Sequence, residues 1–264
     1  MFRLSDDIET YIIQMPTLPN TIQLDNGKTV AVELHIEQRR NIRYALGKKG
    51  VILRLPKFLS ETEQHAYFAK CATWVRSQFV ERDDLSMRIF GRSYTDGCNL
   101  TTDLRDYTIR IVYHRLQSHT GKIILSASEP AVIELRLAAT DTPEHTQESI
   151  RTLLSRIVAA DQKQQIWQRV VALNDAHFGT RIAGLKLSYN TSNWGSCSRT
   201  GNINLSTRLL FAPATVRDYV IIHELAHRIE FNHSPRFWAL VARAMPEYEA
   251  HERWLKEYGA SCHF

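Results

Sequence analysis

The chain has 264 residues, with 33 Lys and Arg against 28 Asp and Glu, 44% hydrophobic and 23% charged. That length suits one large domain or two modest ones with a real core, and the composition excludes disordered, collagenous and coiled-coil proteins. No apolar run reaches the roughly 18 residues of a membrane span, and the opening residues lack a basic-then-apolar leader, so a soluble, cytoplasmic protein with no membrane partner is expected. The scattered cysteines Cys71, Cys98, Cys197 and Cys262 form no CxxC pair and read as reduced thiols. A formal charge of +5 leans mildly toward anionic partners.

The first half reads as β-rich. Thr29 to Ile36 alternates, and Gly50 to Leu55 is a short apolar run ended by Pro56. Ser60 and Glu63 form a capping box that opens a helix through Phe79. Three β-rich runs follow, Tyr107 to Tyr113, Lys122 to Leu125 and Ala131 to Leu137, and Thr140 to Thr146 reads as a linker. From Glu148 to Phe178, apolar residues at helical spacing predict one long helix or two, stopped by Gly179. Leu185, Leu187 and Tyr189 then alternate, as do Ile203 and Leu205, and the turn-rich stretch between them predicts an antiparallel hairpin. Pro213 and Thr215 open another helix, with Asp218 completing an imperfect capping box. Ser234-Pro235 starts a further helix, Pro246 breaks it, and Gly259 ends the last. No internal repeat is visible.

The chemistry concentrates in His223-Glu224-Leu225-Ala226-His227, an HExxH on a predicted helix. Two His at i and i+4 lie about 40° apart around the helix, so both imidazoles face one zinc ion. Glu224, one residue round, reaches a water on the metal instead of the metal itself. Catalytic zinc usually takes a third protein ligand, and His233 supplies it if the chain turns first. Asn232 suits a left-handed helix end, and Ser234-Pro235 caps the next helix. Glu230 lies too close to His227 on a continuing helix to be that ligand, and Cys197 as a fourth would close the open coordination position.

Trp194-Gly195-Ser196-Cys197-Ser198 either covers the core at a hairpin end or offers an edge strand to an extended peptide. Between Gln38 and Ser60 stand Arg39, Arg40, Arg43, Lys48, Lys49, Arg54 and Lys57, with no Asp or Glu. That run is either a solvated strand face or a patch for nucleotide or nucleic acid. Tyr248 and His251 are candidate oxyanion helpers by position alone.

The motifs Trp194 to Ser198, Arg208-Leu209, Ala212-Pro213, Asp218-Tyr219-Val220, His223 to His227, Asn232-His233-Ser234 and Phe237-Trp238 resemble the YgjP-like metallopeptidases, relatives of the SprT-like and WLM groups. The resemblance extends more loosely to Arg39, Arg40, Arg43, Leu55-Pro56, Trp74, Trp254-Leu255 and Gly259. It departs at Asn193, where the family commonly has a basic residue, and at Ser206-Thr207, where it often has Asn and Trp. It implies that His223, His227 and His233 bind zinc, that Glu224 is the catalytic base, and that the substrate is a peptide or protein.

The expected fold is α+β: an N-terminal β-rich domain with one helix over residues 1–146, then a helical zincin-like hydrolase domain over 147–264 with a β-hairpin beside the HExxH helix. The leading function is zinc-dependent peptide hydrolysis. The alternatives are a metal-dependent nucleotide pyrophosphatase and a non-catalytic, zinc-stabilised nucleic-acid-binding module.

Overall fold

The computed structural model describes residues 17–47, 50–124 and 131–264, without the side chains of residues 83, 84 and 88. Contacts divide the chain into two units, the first ending at Ile89 and the second running Phe90–Phe264. The division expected at 146/147 therefore falls inside the second unit.

In the first unit, β1 (Thr21–Gln23), β2 (Thr29–Glu37), β3 (Arg43–Leu46) and β4 (Gly50–Pro56) form a sheet in the order β1-β2-β4-β3. Alternation puts Val30 and Val32 on one face of β2, buried in the same core as Val51, Leu53 and Leu55 of β4. Each such side chain contributes about 1.5–3 kcal/mol of hydrophobic stabilisation. The expected helix is α1 (Glu61–Glu81), and it buries Cys71, Ala72 and Val75. Its capping box is formed as expected: Glu63 N–H donates to Ser60 Oγ at 3.4 Å, and Ser60 N–H donates to the Glu63 carboxylate at 2.8 Å. α2 (Asp83–Phe90) carries the chain across the division.

The second unit begins with β5 (Asn99–Thr101), β6 (Asp106–His114), β7 (Thr120–Ile124) and β8 (Ala131–Ala138), in the order β5-β6-β8-β7. Leu125, expected at the end of the β7 run, lies outside the described residues. α3 (Pro143–His177) is one helix of 35 residues. Thr142 caps it and Pro143 occupies its first turn, so the second half of the expected linker is helical. Gly179, at φ +60°, ends it as expected. Ile150, Leu154 and Val158 of α3 share one core with Ile109 of β6 and Ile133 and Leu135 of β8.

The third sheet corrects the hairpin expectation. β9 (Gly184–Ser188) runs parallel to β11 (Asn202–Ser206), with Leu185 opposite Ile203 and Leu187 opposite Leu205. The hairpin partner of β11 is the short β10 (Gly195–Cys197), which pairs antiparallel on its other side. Alternation identifies a strand but not the direction of its neighbour. The same succession occurs three times: β2-β3-β4-α1, β6-β7-β8-α3, and β9-β10-β11 followed by α4 (Ala214–Ala226). Each time the third strand sits between the other two, parallel to the first and antiparallel to the second.

A 3₁₀ turn over Thr207–Phe211 leads into α4, and α5 (Pro235–Ala244) and α6 (Tyr248–Tyr258) follow. The capping box expected at Asp218 is not formed. Pro213 stands at the cap without a side-chain bond, and Asp218 accepts two hydrogen bonds from Arg169 of α3, at 3.0 and 2.6 Å. Six helices and three small mixed sheets among the described residues make the fold α+β. No described helix is long and apolar enough to cross a membrane.

Candidate metal centre

α4 is buried almost all round, with Val220, Ile221, Ile222, Leu225 and Ala226 each no more than 4% exposed. That burial fixes the helix, and with it His223 and His227, one turn apart with ring centroids 5.1 Å apart. The helix ends at Ala226. Arg228, Ile229 and Glu230 donate their N–H groups back to the carbonyls of Leu225 and Ala226 at 2.9–3.0 Å. The chain then reverses: Ser234 N–H donates to Asn232 O at 2.8 Å, and Ser234 Oγ accepts from Phe237 N–H to cap α5. No described non-glycine residue has positive φ, so Asn232 does not supply the left-handed turn expected of it. The local hydrogen bonds close the turn instead, and His233 swings back as expected. Its ring centroid lies 5.0 Å from that of His223 and 4.8 Å from that of His227.

Phe237, fully buried, packs against all three imidazoles with centroids 4.5–4.9 Å away. His223 Nε2 and His233 Nε2 stand 3.0 Å apart. Two nitrogens ~2.0–2.1 Å from one tetrahedral zinc are separated by about 3.3 Å. The ring of His227 is oriented by Glu230, whose carbonyl accepts from Nδ1–H at 3.1 Å and leaves the Nε2 lone pair free. Burial, then the charges of His227 and His233, push His223 down to about 4, and burial also lowers His227. Neutral imidazoles are the form that binds a metal, so the set fits a zinc ion.

A second grouping lies at His119, Asp141 and His145, where Asp141 Oδ2 is 3.0 and 3.5 Å from the two Nε2 atoms. There the Ala138 N–H donates to His119 Nδ1 at 3.4 Å, placing the proton of the neutral ring on Nε2. A ligand bonding through Nε2 needs the opposite tautomer, which the Glu230 carbonyl gives His227 in the first triad.

Glu224 is 5% exposed, and burial pushes its carboxyl up to about 8. Its neighbour is β10: a Cβ on Gly195 would stand 2.6 Å from Glu224 Oε1 and 2.8 Å from Cγ. Cys197 belongs to neither grouping, and Glu230 contributes its carbonyl to His227 rather than its carboxylate to the triad. Tyr248 stacks on Trp238 at 5.4 Å, and that indole lies 5.8 Å from the His223 ring. His251 leans on Tyr219 at 6.4 Å, with its Nε2 buried and without a hydrogen bond.

Sequence reasoning on the metal missed the support around Trp194. The Arg208 guanidinium lies 4.0 Å from the indole centroid and donates to the carbonyls of Cys262 and Gly259 at 2.8 and 2.5 Å. A Cβ on Gly259 would meet the indole at 2.5 Å. The Arg208-Leu209 pair and Gly259 were legible as landmarks, without the contact that joins them.

In the first unit, Arg54 and Arg39 pair with Glu37, just outside the acid-free run. Arg39, Arg40 and Lys57 line an open cavity of about 540 Å³ with Gln38 and Phe58. Lys48 and Lys49 lie outside the described residues.

A family described as YgjP-like, metallopeptidase domain, matches residues 40–258. No curated protein matches. Two solved structures are similar over part of the chain. The metallopeptidase zymogen abylysin of Pyrococcus abyssi is 22% identical with a TM-score of 0.33, covering 35% of this chain and 93% of its own. The metallopeptidase zymogen jannalysin of Methanocaldococcus jannaschii is 19% identical with a TM-score of 0.32, covering 35% and 94%.

Proposed function

The chain belongs to the YgjP-like metallopeptidase family, and from that premise we propose a zinc-dependent peptidase in which His223, His227 and His233 hold the ion and Glu224 is the catalytic base. The convergence of three imidazoles whose ring nitrogens lie within 4.8 Å of one another carries this reading. Zinc, when bound, supplies Lewis acidity that polarises a peptide carbonyl and makes water a stronger acid. Glu224 takes the proton of the attacking water and returns it to the leaving amine. Gly195 lets the carboxylate sit against the strand, and the Glu230 carbonyl keeps the His227 ring turned to the ion.

The edge strand supports a peptide substrate. Ser206 N–H donates to Trp194 O and Ser198 N–H to Asn202 O, so residues 194, 196 and 198 pair inward with β11. The backbone groups of Gly195 and Cys197 then face the outer edge, where an extended chain can add as a further strand beside Glu224.

The test is elemental analysis joined to turnover. Wild type carries about one zinc per chain and a folded His227→Ala variant carries none; Glu224→Gln keeps its zinc and loses peptide hydrolysis. Release of phosphate from nucleoside triphosphates, with no new amines from unfolded peptides, would replace this reading with the pyrophosphatase one. A separate anion-binding role of the first unit is favoured by the cavity at Arg40, Lys57 and Phe58. It predicts oligonucleotide binding that falls with salt and with Arg40→Glu; binding insensitive to both would remove that role.

A further inference from the structure

A cavity of about 450 Å³ opens beside His223 and Glu224 and reaches the backbone of Gly195. Its walls are Trp194, Tyr219, Val220 and Leu255, of which Tyr219 and Val220 are each 4% exposed. Those walls are held independently of any ligand. The Arg208 guanidinium packs over the Trp194 ring at 4.0 Å, Gly259 leaves that ring room that a Cβ would take, and Tyr219 lies near parallel to Tyr248, at 6.3 Å and 22°. A pocket formed in advance binds without the entropy of ordering its own walls.

The charged residues in the lining are Glu252 and Lys256, beyond Glu224 itself. They sit one turn apart on α6 and pair with each other at 2.9 Å, with side chains 38% and 69% exposed. Paired and solvated, they leave no net charge at the mouth to draw in a cationic or an anionic side chain. An extended peptide along β10 sends alternate side chains to opposite faces, and one of them enters this cavity next to the bond facing Glu224.

We infer that this cavity is the pocket for a substrate side chain beside the scissile bond, and that it selects a large apolar residue, aromatic or aliphatic, over small or charged ones. The inference rests on the metal-centre reading above. A hydrophobic pocket discriminates by how much apolar surface it covers, so the preference for Phe or Leu over Ala is about tenfold or more.

The test is calorimetric binding of N-acetyl amino-acid hydroxamates of Phe, Leu, Ala, Asp and Lys to the zinc-loaded protein. The hydroxamate anchors on the metal, and only the side chain varies. Phe and Leu should bind at least about tenfold tighter than Ala, Asp or Lys. Leu255→Phe, which narrows the cavity, should bring the Phe-to-Ala ratio toward one, with Val220→Phe as the second variant should the first fail to fold. Equal affinities, a preference for Lys or Asp, or a ratio unchanged in the variants would overturn the pocket. Zinc-dependent binding that ignores the side chain would do so while leaving the metal centre standing. Absence of all hydroxamate binding would take both readings down.

Discussion

Gly195 and Glu224 occupy one another's space. No side chain fits on Gly195 because a Cβ there would lie 2.6, 2.8 and 2.9 Å from Oε1, Cγ and Cδ of Glu224. Three atoms along the side chain are involved, so rotating the carboxylate alone does not relieve the clash. Gly195→Ala should therefore move Glu224 and lower peptide turnover by about 10²-fold, the cost of misplacing a catalytic group by about 1 Å. Zinc content should stay at the wild-type level, because the three atoms nearest that Cβ all belong to Glu224. Undiminished turnover in Gly195→Ala would show that the position of Glu224 does not limit the reaction.

Arg208 is 7% exposed, and burial lowers its pKa without a carboxylate partner to offset it. Its charge is met by two carbonyls and by the face of Trp194. Lysine keeps the charge but not the fork or the planar stack. Arg208→Lys should thus destabilise the second unit by about 2–3 kcal/mol. It should also shift tryptophan emission in the native baseline, as Trp194 loses the guanidinium over its ring. An unchanged urea midpoint and emission maximum would contradict both statements.

The convergence of His223, His227 and His233 was legible because it depends on short sequence distances. A four-residue spacing determines which side of a helix two histidines share, and a Ser-Pro pair shows where the next helix starts. Ser60 with Glu63 and Gly179 were legible for the same reason. What escaped depends on pairs far apart in the chain. Alternation at Leu185 and Ile203 shows two strands but not that they run parallel with β10 beyond them. Asp218 has the spacing of a helix cap, yet Arg169, 49 residues earlier, takes its carboxylate. The threefold strand-strand-strand-helix order left no sequence repeat, because alternating apolar residues satisfy each sheet whatever their identity.

If the three histidines hold zinc in the folded chain only, the metal adds to stability by mass action. At a free zinc concentration of 100 times its Kd, the gain is about 2.7 kcal/mol. Adding a chelator to wild type should lower the thermal midpoint, and restoring zinc should return it. His227→Ala, lacking one imidazole and the Nδ1–H bond to Glu230, should melt at the same temperature with and without chelator. Equal chelator sensitivity in the two proteins would move the stabilising metal elsewhere.

His263 gives the second unit an acid-side weakness. It is 9% exposed, its Nδ1 lies 2.7 Å from the Tyr189 hydroxyl, and burial, then the charges of Arg208 and Arg92, push it down to about 4. The unfolded value is about 6.5, so above that pH neither state holds the proton and His263 is neutral to stability. Between about 6.5 and 4 the unfolded chain binds more protons, and stability falls as the solution is acidified. The loss reaches about 2 kcal/mol at pH 5. His263→Asn keeps a hydrogen-bonding partner for Tyr189 and removes the titration, so its urea midpoint should change less between pH 7 and pH 5 than that of wild type. Both proteins are measured with chelator, since zinc release on acidification would add its own slope. Identical pH dependence in the two would assign the acid sensitivity to other groups.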